Sequence, residues 1–182
     1  MSRFTVRGFA GGLLSGLGHN PVLAIRDFAG DAHFEPEGIE NSALCLKIKA
    51  ASLEVQNDCS DKDRREMKRV MDADVLETDR YPDITFQTAG ASGSKLSETS
   101  YRLLLDGNLT LHGVTRRQQI PVQLWVMQDQ LRANGEFSVR QTDYGIKLAS
   151  VAGGALKLKD ELKLTYDIVA AVTTDDRKTL CA

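Results

Sequence analysis

The chain has 182 residues, 42% of them apolar, with 23 basic against 25 acidic side chains and a net charge of -2. That length suits one domain with a sizeable core, and no run approaches the ~20 apolar residues of a membrane-spanning helix. The near-even charge leaves no basic stripe, which excludes phosphate-backbone binding as a driving force and makes nucleic acid an unexpected partner.

The N-terminal segment Met1-Ser2-Arg3-Phe4-Thr5-Val6 enters an alternating pattern at once, and the Gly-rich stretch from Gly8 to Gly18 is neither continuously apolar nor followed by a small-x-small site. No signal peptide is read there, so a reducing cytoplasm is the expected setting, or a periplasmic one if the chain is processed. Gly8, Gly11, Gly12, Gly16 and Gly18 lack the Gly-Lys-Ser/Thr of a phosphate loop and fit a strand bend or bulge at the rim of a sheet. Cys45, Cys59 and Cys181 are odd in number and lack metal-like spacing, which argues against a disulfide scaffold or a cysteine zinc site.

Period-two alternation first becomes clear in Leu44-Cys45-Leu46-Lys47-Ile48-Lys49-Ala50. At Ser60-x-x-Asp63 the pattern changes to a capping-box-like start, followed by Met67, Val70 and Met71 at helical spacing and an end near Leu76. This predicts one short amphipathic helix on a long connection, with the alternating charges of Lys62 to Arg69 as its solvated face. Met67 and Met71 share the other face; they either seat the helix or line an opening with adaptable side chains.

Strands return after Tyr81-Pro82, since a proline without an N–H is tolerated at a strand's first position but not inside a ladder. Ile84 and Phe86 then share a face. Alternation recurs over Tyr101 to Leu105, Gly107 to Leu111, Ile120 to Val126, Leu131 to Val139, and Leu156-Lys157-Leu158 through Leu162 to Ile168. Turn signals are read at Glu37-Gly38, Ser92-Gly93-Ser94, His112-Gly113, Ala133-Asn134-Gly135 and Gly153-Gly154. Closely spaced strands with one helix among them predict an all-β antiparallel meander, closed into a barrel of about eight strands because closure removes exposed edges. One barrel domain is expected over residues 1–172, with 173–182 as a C-terminal tail.

Strand parity gives the expected inward set: Ile48, Ile84, Phe86, Leu103, Leu105, Leu109, Leu111, Val122, Leu124, Phe137, Val139, Leu164, Tyr166 and Ile168. Trp125 has the opposite parity and so belongs to the outer surface or to an oligomer contact such as a homodimer's.

No chemistry-bearing constellation emerges. His19, His33 and His112 form no His-x-x-x-His pair, so no metal or cofactor is expected; His112 before Gly113 and His19 before Asn20-Pro21 read as turn residues. The serines show no Gly-x-Ser-x-Gly elbow. The cations Arg116, just after the His112-Gly113 turn, and Arg140, beside Asp143, carry guanidinium groups that suit a phosphate or carboxylate, or else are ordinary surface charge.

Three segments, Tyr81-Pro82-Asp83-Ile84-Thr85-Phe86, Gly107-Asn108-Leu109-Thr110-Leu111-His112-Gly113-Val114-Thr115-Arg116 and Phe137-Ser138-Val139-Arg140-Gln141-Thr142-Asp143-Tyr144-Gly145-Ile146, together resemble the successive signatures of the YceI-like family of lipid-binding, lipocalin-like proteins. Ala51-Ser52-Leu53 followed by Asp63-Arg64 is similar to that family's strand-to-helix segment, and the resemblance covers roughly residues 4–170. It implies an extended antiparallel barrel with an elongated apolar interior that holds a polyisoprenoid or other long-chain amphiphile, and it implies no catalytic residues.

Under that resemblance the ligand wall is expected at Ile48, Phe86, Leu105, Leu109, Leu111, Val122, Leu124, Phe137, Leu164, Tyr166, Ile168, Met67 and Met71, with Arg116 and Arg140 at the head group. About ten buried methylenes give about 8 kcal/mol gross, and association costs of at least ~4 kcal/mol leave weak binding. A carrier therefore needs fifteen to twenty buried carbons for roughly micromolar affinity. Two other readings stand beside this one: a ligand-free structural or stress-associated barrel whose side chains fill it, and a small enzyme using His19 or His112 at the barrel mouth.

Overall fold

Alternating side chains become alternating burial along the long strands. In Ser100–Leu111, the residues Tyr101, Leu103, Leu105, Leu109 and Leu111 are buried while Arg102 and Asn108 are exposed, as a pleated strand with one wet and one dry face requires. The computed structural model describes residues 2–11, 20–148, 150–151 and 156–171. The tail 173–182, His19 and the turn signal Gly153-Gly154 lie outside them.

The strands are β1 (Arg3–Arg7), β2 (Ala10–Gly11), β3 (Val22–Ile25), β4 (Phe28–His33), β5 (Ala43–Lys49) and β6 (Leu53–Val55), then β7 (Asp83–Lys95), β8 (Ser100–Leu111), β9 (Val114–Val126), β10 (Gln130–Arg140), β11 (Ser150–Val151), β12 (Leu156–Leu158) and β13 (Glu161–Ala171). Ten of them form one sheet in the order β4-β5-β7-β8-β9-β10-β13-β1-β3-β6, and β11-β12-β2 form a small second sheet. All pairings are antiparallel.

The two ends of that order are halves of the same hairpin. β3 runs into β4 through Arg26-Asp27, and β5 runs into β6 through a 3-10 turn at Ala50–Ser52. β3 pairs with β6 and β4 with β5. Across the bend the ladder is carried by Arg26 N–H donating to the Ser52 carbonyl at 3.2 Å and Lys49 N–H donating to the Asp27 carbonyl at 3.0 Å. Two bent strands thus pair throughout, one attached to β1 and the other to β7. Counting each bent strand once, the curled sheet comes round on itself as eight strands, the number read from the sequence.

The closure is incomplete on one side. β1 meets β3 only over Thr5–Arg7, and among the described residues β4 has β5 as its sole neighbour. A wedge therefore opens between β4 and the start of β1, with Phe4 and Phe28 packed edge-to-face at its apex, ring centroids 6.4 Å apart.

The helix α1 (Asp61–Val70) starts at Ser60, whose Oγ accepts from the Asp63 N–H, and passes into a π turn at Met71–Val75. Its length agrees with the sequence reading. Arg64 donates to the Val55 and Asn57 carbonyls and Lys68 to the Ala51 carbonyl, which fastens the helix across β6. Lys68 also pairs with Asp72.

The inward set is where parity puts it. Ile48, Phe86, Leu103, Leu105, Leu109, Leu111, Val122, Leu124, Val139 and Tyr166 are buried, and Ile84, Phe137, Leu164 and Ile168 pack half-buried against them. Trp125 is half-buried on the opposite face of β9. The odd cysteine count does not prevent a single bridge: Cys45 is disulfide-bonded, while Cys59 is a free thiol.

Two turn readings are corrected. Ser92-Gly93-Ser94 lies inside β7 and Ala133-Asn134-Gly135 inside β10, the chain reversing instead after Lys95 and after Val126. Both glycines answer a close approach, not a turn. A Cβ on Gly93 would sit 2.3 Å from the Arg102 carbonyl oxygen, and one on Gly135 would sit 2.3 Å from the Pro121 carbonyl oxygen and 2.5 Å from the Tyr166 hydroxyl. The expected result for Gly135→Ala is a loss of about 1–3 kcal/mol in unfolding free energy, the usual cost of overpacking. Urea denaturation measures it, and an unchanged midpoint would mean that the β9 backbone at Pro121 and the Tyr166 ring both give way.

Candidate functional site

The barrel encloses a continuous cavity of about 1860 Å³, nearly twice the ~1,000 Å³ upper end of ordinary small-molecule pockets. It runs from Leu109, Leu111 and Ile146, beside the β8–β9 turn, to Leu124, Val126 and Met127 at the opposite end. All thirteen residues expected on the wall are there: Ile48, Phe86, Leu105, Leu109, Leu111, Val122, Leu124, Phe137, Leu164, Tyr166 and Ile168 from the strands, Met67 and Met71 from the helix. Met71 is buried and seats the helix, whereas Met67 is 38% exposed and stands at an opening. The two readings of this methionine pair thus divide between its members.

The wedge is the other opening. Every residue from Phe28 to Phe34 borders the cavity, as does every residue from Ile168 to Ala171. A strand facing a cavity with one side contributes alternate residues only, so at these two segments it is the strand edge that borders the cavity. The sequence carries no signal for this, because edge exposure depends on where a neighbour stops.

Charged side chains on the wall are few. Asp31, Asp63 and Glu66 are acidic and Arg26 is basic, but Arg26 is held by Glu54, Nε to Oε2 at 2.7 Å. Asp63 and Glu66 reach the wall because they share a helix face with Met67 and Val70.

The head-group cations expected from the sequence are placed elsewhere. Arg116 and Arg140 do not border the cavity; Arg116 Nε donates to the Asp143 carbonyl at 3.1 Å and Arg140 Nε to Asp160 Oδ2 at 3.0 Å. Both alternate outward on strands whose other face lines the interior, β9 and β10. Asp160 also accepts from the Thr142 N–H at 2.8 Å and the Thr142 hydroxyl at 2.7 Å. The Thr142 amide first, then its hydroxyl and Arg140, hold the Asp160 carboxyl below the usual carboxylate range.

His112 is a turn residue, as read. With φ of 51° at His112 and 73° at Gly113, the two-residue connection has the positive φ pair of a type I′ hairpin turn. Its Nδ1–H donates to the Tyr144 carbonyl at 3.2 Å, its Nε2 lies 3.1 Å from Glu77 Oε1, and its ring packs on Tyr81 at 4.4 Å. The ring thereby ties the turn to the helix exit and to the 3-10 turn after β10. His33 stands exposed on β4. Among the described residues no three His, Cys, Asp or Glu side chains gather as a metal site would require.

Sequence reasoning missed many wall residues, among them Phe4 from β1, Ile25 and Phe28 from the bent strands, and both of the wall's buried polar residues. Gln141, 3% exposed, opens the 3-10 turn Gln141–Tyr144, and Ser42 is 4% exposed. Gln141 shares its parity with Phe137 and Val139, so the alternation already pointed it inward; its amide was passed over because only apolar residues were counted. Tyr166 is the remaining polar group of note. Its hydroxyl donates to the Pro121 carbonyl at 2.6 Å, and burial pushes its phenol pKa upward.

A one-layer antiparallel barrel curled around a long apolar cavity defines the chain as a lipocalin-like barrel. The chain belongs to the YceI-like domain family, whose model matches residues 4–170. Among solved structures it is similar to BcnA of Burkholderia cenocepacia, with a TM-score of 0.70 at 15% identity, covering 93% of this chain and 96% of that one. A polyisoprenoid binding domain from Saccharophagus degradans gives 0.67 at 12% identity, over 94% of each chain. The Campylobacter jejuni YCEI protein gives 0.63 at 16%, over 83% and 84%. No curated protein sequence matches it.

Because Tyr166 is buried as the neutral phenol, its raised folded pKa stabilises the fold fully below its unfolded value of 10.0, and that contribution is lost as pH rises above it. Stability should therefore fall above about pH 10 with a steeper slope in the wild type than in Tyr166→Phe. Urea midpoints measured from pH 9 to 11 check this, and equal slopes would mean that Tyr166 titrates freely.

Proposed function

We propose that this protein is a carrier that holds one long-chain amphiphile, of polyisoprenoid or fatty-chain type, inside the barrel. The observation that carries the reading is the continuous apolar cavity of about 1860 Å³ along the barrel axis. Interior side chains of a filled barrel would occupy that volume; here they line it. A chain of fifteen to twenty carbons gains roughly 12–16 kcal/mol of gross burial at ~0.8 kcal/mol per methylene, enough to outweigh association costs. The Saccharophagus domain, named for polyisoprenoid binding, supports the ligand class at the level of shared fold. On this reading the protein acts by sequestration and not by catalysis: the wall is mostly aliphatic and aromatic, and His112 is engaged by Tyr144 and Glu77. No helix among the described residues is long and apolar enough to cross a membrane.

Native mass spectrometry of freshly purified protein, followed by solvent extraction, is expected to give a stoichiometric long-chain adduct. Leu105→Trp, which intrudes at mid-barrel, should weaken binding roughly fivefold to a hundredfold, since overpacking a filled site costs about 1–3 kcal/mol. A mass free of adduct that stays unchanged after incubation with isoprenoids and fatty acids would overturn the reading in favour of a ligand-free barrel.

A further inference from the structure

The wall of the cavity carries one polar group whose bonding is half complete. Gln141 Nε2 donates to the Lys159 carbonyl at 3.0 Å and to the Asp160 carbonyl at 3.4 Å. These two contacts fix the amide: with oxygen and nitrogen exchanged, the side-chain oxygen would face two carbonyl oxygens, neither able to donate. Oε1 therefore points away from them, and no donor among the described residues reaches it, although the residue is only 3% exposed. Buried amide oxygens are ordinarily paired. Gln141 borders the cavity, as do Val139 and Ile146 on either side of it in the chain.

Ser42 is the other buried polar residue on the wall, but its hydroxyl is fully enclosed, so an occupant of the cavity does not reach it. Gln141 Oε1 is not so enclosed. The position of Gln141 is also firmly held. Its own N–H donates to the Asp160 carbonyl at 2.9 Å and its carbonyl accepts from the Ile146 N–H at 3.1 Å, while Asp160 clamps the following residue through Thr142.

An acceptor selects a donor. Carboxylate and phosphate heads offer oxygens that Oε1 repels, and the charges bordering the cavity, Asp31, Asp63 and Glu66 against an Arg26 already held by Glu54, repel them further. A hydroxyl has the needed proton and no charge to desolvate.

We propose that Gln141 is the head-group subsite of this barrel and that it selects long-chain alcohols, through a hydrogen bond from the ligand hydroxyl to Oε1, over the corresponding acids. This rests on the carrier reading above and adds the head group and its orientation: the hydroxyl lies at the end bearing the β8–β9 turn, and the chain extends toward Leu124 and Met127.

The test is a displacement series on delipidated protein with three probes of one chain length: 1-octadecanol, 1-methoxyoctadecane and octadecanoate. The alcohol should bind roughly threefold to tenfold more tightly than the ether, the range expected of one net hydrogen bond, and the acid should be the weakest. Gln141→Met should keep the ether's affinity and bring the alcohol-to-ether ratio to about one. Because that variant also frees the Lys159 and Asp160 carbonyls, the wild-type series decides the matter if the variant does not fold. Equal binding of alcohol and ether, or octadecanoate binding as tightly as the alcohol, would overturn the subsite while leaving the carrier intact. Failure of all three probes to bind would overturn the carrier reading and the subsite with it.

Discussion

The bend at Arg26-Asp27 is where the barrel is made. A strand that pairs with β1 at one end and carries β5 at the other must change direction by a large angle without losing its partner, and it does so because β5–β6 bends with it at Ala50–Ser52. The backbone bonds from Arg26 to Ser52 and from Lys49 to Asp27 hold the two strands together through the corner. With those in place the long meander β7–β10 is drawn round to β13 and β1, and the apolar faces converge. Closure leaves few unpaired edges, the general reason barrels are favoured for antiparallel meanders. The edges that remain, along β4 and along residues 168–171 of β13, border the cavity.

The polar groups divide according to the face of the sheet. Exposed ion pairs, such as Arg132 with Asp167 and Arg117 with Asp106, lie on outer faces, where each contributes little to stability. The barrel end at the β8–β9 turn is organised differently. His112 joins the turn to Glu77 and Tyr144, and Asp160 gathers Thr142 and Arg140, so helix exit, hairpin turn and 3-10 turn hold one another. That rigidity matters for recognition, because a single hydrogen bond discriminates between ligands only if the acceptor is held in place before binding. The wedge beside β4 lacks such ties and, with the gap at Met67, offers the passage.

Much of this was legible in advance. The period-two pattern placed Leu103, Leu105, Leu109 and Leu111 inside and Trp125 outside, since on a strand paired on both sides the pleat alone decides the facing. Ser60-x-x-Asp63 marked the helix start, a local bond between neighbours in the chain. The same local reasoning failed at Gly93 and Gly135, which look like turn residues yet sit in strand interiors because the Arg102 backbone and the Tyr166 ring crowd them from other strands. It failed also at Arg116 and Arg140. Their charge suggested a head-group role, but their parity turns them outward, and their partners, Asp143 and Asp160, come from other segments.

The sequence by itself determined the class of element, the inward face of each long strand, the single capped helix and the apolar character of the interior, all of which follow from the backbone's fixed periods and from residues close in the chain. Only the tertiary structure decided that the interior is a long cavity and not a packed core, that its openings lie at β4 and Met67, and that Gln141 presents a free acceptor. Each of those depends on the distance between strands remote in sequence and on which hydrogen-bond partners that distance supplies or withholds, and neither is encoded in any local pattern.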